Sequence, residues 1–146
     1  MANYLLLRCN YANDPETRRS VSGYIVYVHG VPVVWKSQAQ QSVTLSSTEA
    51  EWFALSEAVK EVRFLQQQLC KSMQIQTQLP VIVRVDNTAR TKHIDVRTKF
   101  VKEFCEDGII KIIFVRSEDN DSDILTKNLQ SELFRKHSRK LIKESK

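Results

Sequence analysis

Three acids in this 146-residue chain stand where local structure alone gives them little to do. Glu51 falls in "SSTEAEWFALSEAVKEVRFLQQQL". Every third or fourth residue there (Glu51, Leu55, Ala58, Val62, Leu65, Leu69) traces the buried stripe of an amphipathic helix. A carboxylate on such a stripe is costly unless it is paired or binds a cation. Asp86 closes the apolar run "VIVRVD". If Val81, Val83 and Val85 face one side of a sheet, Ile82, Arg84 and Asp86 face the other. Asp123 lies in "NDSDILTK", near the expected start of a last helix. Brought together, the three would be hard oxygen ligands for Mg²⁺. Two such ions can activate a water and stabilise the leaving oxygen in phosphodiester cleavage. Each acid also has a plainer reading. Glu51 could be a first-turn helix acid, Asp86 an acid that opens or caps the next helix, and Asp123 a cap or a dipole-compensating charge. Spacing along the chain does not choose between these.

The elements that would have to position them are readable in order. "YLLLRCNYA" is a strand and "NDPETRRS" a polar turn. "SGYIVYVHG" and "VPVVWKSQ" are β-branched and aromatic runs meeting at "HGVP" as a hairpin. The Glu51 helix follows, with Ser46, Ser47 or Thr48 as N-cap. "LPVIVRVDN" is a strand, "TARTKHIDVRTKFVKEFCEDG" a helix ending at Gly108, and "IIKIIFVRS" a strand. A cap-rich loop and a basic C-terminal helix, 123–146, close the chain. Three strands joined by short turns form an antiparallel meander, and strands separated by helices add in parallel. The expectation is one α/β domain over 1–146, with a mixed five-stranded sheet flanked by helices. A ligand site belongs near the strand carboxyl ends where strand order changes.

Composition sets the outer limits. Hydrophobic residues are 42% and charged residues 27% of the chain, ordinary for a globular protein. No apolar run approaches the length of a membrane span. "MANYLLLRCN" lacks the basic start and long apolar stretch of a signal peptide, so an intracellular location, cytoplasmic or nuclear, is expected. Cys9, Cys70 and Cys105 are odd in number and have no CxxC spacing, as fits reduced thiols. The net charge of +5 resides in the last twelve residues, "RKHSRKLIKESK"; residues 1–134 balance 16 bases against 16 acids. That basic end, with Arg139 and Lys140, could lie near nucleic-acid phosphates or could simply suit a helix C-terminus. Arg90, Lys92, His93 and Arg97 in "ARTKHIDVRTK" have the same two readings, phosphate contacts or a solvated face. Trp35 and Trp52 read as packing residues.

"RRSVSGYIVYVHGVPVVWKSQAQQSVTLSSTEAEWFALSEAVKE", "RVDN", "RTKHID" and "DSDILTKNL" resemble the RNase H domain of copia-type retrotransposon polyproteins. The resemblance runs from about Leu7 to Leu141 and implies an RNase H-like fold. It also implies Mg²⁺- or Mn²⁺-dependent hydrolysis of the RNA strand of RNA–DNA hybrids, and a reverse transcriptase domain as a possible neighbour. Glu51, Asp86 and Asp123 match three of the family's four catalytic, metal-binding carboxylates.

The chain departs from that pattern twice. Arg8 and Asn10, in "LRCNYAND", stand where the family has an Asp-x-Asp pair, so Arg8 occupies the first catalytic position. At about 4 Å and an effective dielectric of about 20, each unit-charge interaction is of order 4 kcal/mol. A guanidinium there repels an incoming Mg²⁺ and can pair with Glu51 or Asp86 instead. Second, the family's short helix after the fourth strand is missing, since only Thr88, Ala89 and Arg90 separate Asn87 from Thr91. The expected function is an RNase H-type domain with impaired or lost catalysis. The alternatives are a non-catalytic nucleic-acid-binding or protein-interaction module on the same fold, or a degenerate fragment.

Overall fold

The computed structural model describes residues 4–72, 74, 78–86, 96–127 and 129–141. Five strands form one sheet: β1 (Tyr4–Asn10), β2 (Val21–Val28), β3 (Val31–Ala39), β4 (Val81–Asp86) and β5 (Ile110–Val115). Their spatial order is β3-β2-β1-β4-β5. β1, β2 and β3 pair antiparallel, whereas β4 and β5 extend the sheet in parallel from β1. This is the mixed sheet expected from the sequence. The β2–β3 hairpin closes at His29 and Gly30, both with positive φ (49° and 78°), the backbone a tight two-residue turn requires.

Side-chain alternation divides the sheet into two faces. Leu5, Leu7 and Cys9 of β1, Tyr24 and Val26 of β2, and Val81, Val83 and Val85 of β4 share the main core. Helix α1 (Ser47–Ser72) covers that face, seating Ala50, Ala54, Leu55, Ala58, Val59 and Val62 in the same cluster. Its small alanines, fully buried, let the helix backbone sit close to the sheet. Ser46 is the N-cap, its Oγ accepting the Glu49 N–H at 3.1 Å while Glu49 Oε2 accepts the Leu45 N–H at 2.7 Å. Helix α2 (Val96–Glu106) adds Val101 and Phe104 and stops at Gly108, φ 68°.

The opposite face carries a smaller cluster: Ile25 and Tyr27, with Leu125 and Leu141 packed on them. Here the structure corrects the expected C-terminal helix 123–146. Residues Asp121–Leu125 form a 3-10 turn, and the helix proper, α3, runs Ser131–Leu141. The break has a local cause in its caps and a tertiary one in its packing. The Asn120 side chain accepts the Ser122 N–H as N-cap, Thr126 ends the turn, and Leu125 and Leu141 meet the sheet from separate elements. Residues 142–146 lie outside the described residues, as do Arg90, Lys92, His93 and the segment of the missing helix. No described helix is long and apolar enough to cross a membrane.

Candidate active site

The cleft opens where β1 parts from β4. The parallel β1–β4 pairing runs through Leu6↔Arg84. One residue further, the Leu7 carbonyl accepts the Asn120 Nδ2–H at 2.7 Å. Asn120, fully buried, thus sits where the fourth strand turns away. Its Oδ1 accepts both the Ser122 N–H at 3.2 Å and the Ser122 hydroxyl at 2.5 Å. β1 has an antiparallel neighbour on one side and a parallel one on the other, so this is the sheet's switch point.

A single row of backbone positions crosses the sheet here. Arg8 faces Gly23, and Gly23 faces Ser37. Asp86 ends β4 two residues beyond the last β1–β4 pair, opposite Val115 of β5. The Asp86 side chain lies outside the described residues, as does that of Arg97. The Asp121–Leu125 turn lies over this row. Ser37 Oγ donates to the Leu125 carbonyl at 2.5 Å. A Cβ on Gly23 would come within 2.7 Å of Thr126 Cγ2 and 2.8 Å of Leu125 Cβ. Glycine in mid-strand is a signal of such close approach.

This docking delivers Asp123 to Arg8. The Arg8 Nε lies 2.9 Å from Asp123 Oδ1, with the two side chains 12% and 9% exposed. The contact joins charges rather than making an aligned hydrogen bond, since the geometry fails at both atoms. Lys127, one helical turn on, places its Nζ 3.7 Å from Asp123 Oδ2. The sequence pointed to Glu51 or Asp86 as partners for Arg8; the structure adds Asp123, and it adds Lys127, whose i,i+4 spacing was the available clue.

Glu51 enters from the other side. With Arg8 and Cys9 it lines a cavity of about 160 Å³ whose walls include Trp52, Leu55 and Val85, and its Oε2 is closed to solvent. The Cys9 thiol registers its neighbours. Burial first, and then the Glu51 charge, push its pKa up to about 12, against the opposing pull of Arg8, Gln40 and Ser20. Cys9 should therefore resist iodoacetamide at about pH 9 in the folded chain and react once it is unfolded, as read by peptide mass spectrometry. Labelling of Cys9 in the native state would mean that the sheet opens at this point.

A second clamp holds the turn from α3. His137, buried in α3, has Nδ1 2.6 Å from Asp121 Oδ1, and Lys140 Nζ reaches the same oxygen at 3.0 Å. Lys140 is thus committed to Asp121, while Arg139 is exposed. The only advance signal was the "DNDSD" run, whose acids read as caps.

Whether these residues suit divalent ions can be tested on the geometry. Both oxygens of Asp123 already have a cation beside them, and the nearer, Arg8, is largely buried. An ion would have to displace the guanidinium and would then lack the ligand expected from residue 8. As it stands, the cluster does not fit a two-ion centre.

No protein-family profile matches the chain. It is 35% identical over 129 residues (80% of the chain) to the retrovirus-related Pol polyprotein from transposon TNT 1-94 of Nicotiana tabacum. It is 30% identical over 144 residues (90% of the chain) to that from transposon RE2 of Arabidopsis thaliana. The chain spans about a tenth of the length of these relatives. Among solved structures, LC11-RNase H1, isolated from compost by a metagenomic approach, superposes with TM-score 0.59 at 18% identity, covering 92% of this chain and 96% of that one. The same enzyme in complex with an RNA/DNA hybrid superposes with TM-score 0.56 at 12% identity, covering 84% and 93%.

Proposed function

Starting from a chain that is an RNase H-type domain homologous to a segment of copia-type Pol polyproteins, we propose that hydrolysis of the RNA strand of RNA–DNA hybrids is its inherited task and is impaired here. The observation that carries the impairment is the Arg8–Asp123 contact at 2.9 Å. In the intact arrangement implied by the resemblance, Glu51, Asp86 and Asp123 are metal ligands and the acid at residue 8 completes the set. Here residue 8 is a cation that neutralises one of the remaining three.

The substrate class rests on the fold and on the LC11 enzyme's capture with an RNA/DNA hybrid. Selection of RNA over DNA would come from contacts to 2′-hydroxyls, and affinity from sequence-blind phosphate contacts. Among the described residues Arg139 is an exposed cation for that purpose, whereas Lys140 is held by Asp121. The same ancestry supports an intracellular site of action beside a reverse transcriptase domain.

Losing an outer-shell partner of a metal already costs about 10–100-fold in affinity or activity. With a direct ligand replaced by a cation, cutting of a labelled hybrid in Mg²⁺ or Mn²⁺ should fall at least roughly 100-fold below that of an intact RNase H. Robust cutting abolished by Glu51→Gln would overturn the reading. The same Arg8–Asp123 contact favours a second reading, a module that holds nucleic acid without cleaving it. Salt-sensitive retention of the hybrid, weakened by Arg139→Ser, would support it; retention indifferent to salt and to Arg139 would not.

A further inference from the structure

We propose that Arg8 is a built-in counter-ion that holds the Asp121–Leu125 turn to β1, taking over in this chain the structural work of a divalent cation. This deepens the reading above by giving Arg8 a positive role, and it is read by stability rather than by cutting, so the two can fail separately.

The turn is seated on the sheet along the row Ser37, Gly23, Arg8. At Ser37 a hydroxyl holds the Leu125 carbonyl, and at Gly23 the absence of a side chain makes room for Leu125 and Thr126. At Arg8 the link is charge, with Asp123 nearly buried on the far side. Lys127 is less well placed to replace it, being farther from the carboxylate and a third exposed. Glu51, from α1, shares the Arg8 cavity. Arg8 therefore stands beside Asp123 and lines one cavity with Glu51. Removing Arg8 takes from Asp123 the nearer of its two described cations, and Arg8→Asp puts a second carboxylate beside it. Like charges gathered in partly dry surroundings repel strongly, and the turn is the element able to leave.

The chain as it stands should then be indifferent to divalent ions, and Arg8→Asp should acquire a need for them. The test is thermal unfolding of the full chain by circular dichroism at constant ionic strength, with EDTA or with increasing Mn²⁺. The unsubstituted chain should keep its midpoint under both conditions. Arg8→Gln should lose roughly 10 °C and recover nothing with Mn²⁺. Arg8→Asp should lose as much or more and regain several degrees as Mn²⁺ saturates, and adding Asp123→Asn should abolish that recovery. An Arg8→Gln midpoint equal to that of the unsubstituted chain would overturn the proposal. So would a saturable Mn²⁺-dependent rise in the unsubstituted chain. If Arg8→Asp fails to fold under any condition, the Arg8→Gln comparison decides alone.

Discussion

Asn120→Ala should lower the unfolding free energy by about 4 kcal/mol, since it strands three buried polar groups at about 1–3 kcal/mol each. The Asn120 amide donates to the Leu7 carbonyl, and its oxygen accepts the Ser122 N–H and hydroxyl. Asn120 and Ser122 are fully buried, so water cannot easily take over those contacts. Urea unfolding reads the effect as a lower midpoint with an unchanged slope. Asn120→Asp separates the parts, because it keeps acceptors for Ser122 but loses the donor to Leu7. A cost below about 1 kcal/mol for the alanine variant would show that the turn does not depend on this side chain for its place at the strand fork.

Gly23→Val should cost about 3 kcal/mol through overpacking, although local preference runs the other way. Glycine inside a strand is destabilising by roughly 0.5–1 kcal/mol, and valine is a favoured strand residue. The sign is set by what lies above. The added Cβ would meet Thr126 Cγ2 at 2.7 Å and Leu125 Cβ at 2.8 Å, atoms close to the backbone that cannot swing aside cheaply. Relief requires lifting the turn, which takes Asp123 away from Arg8. A stabilised Gly23→Val chain would mean that the turn does not rest on β2. With Gly23→Ala the loss should be smaller and in the same direction.

Both substitutions probe a feature poorly visible in the linear chain. The sequence did determine the strand and helix order, the hairpin within "HGVP", a cap among Ser46, Ser47 and Thr48 and the inward stripe of α1, because each depends on periodicity and turn chemistry within a few residues. It also determined that residue 8 is a cation where the resembling family has an acid. It did not reveal that Asp123 sits in a separate 3-10 turn before α3, since its neighbours are equally good helix caps, nor that Arg8 takes Asp123 as partner. Those outcomes depend on groups more than a hundred residues apart, such as Asn120 with Leu7 and Asp123 with Arg8. Local propensity has no access to such pairs. Only the folded sheet, with one face left for the turn and a strand fork for Asn120 to fill, brings them within hydrogen-bonding distance and decides which charge meets which.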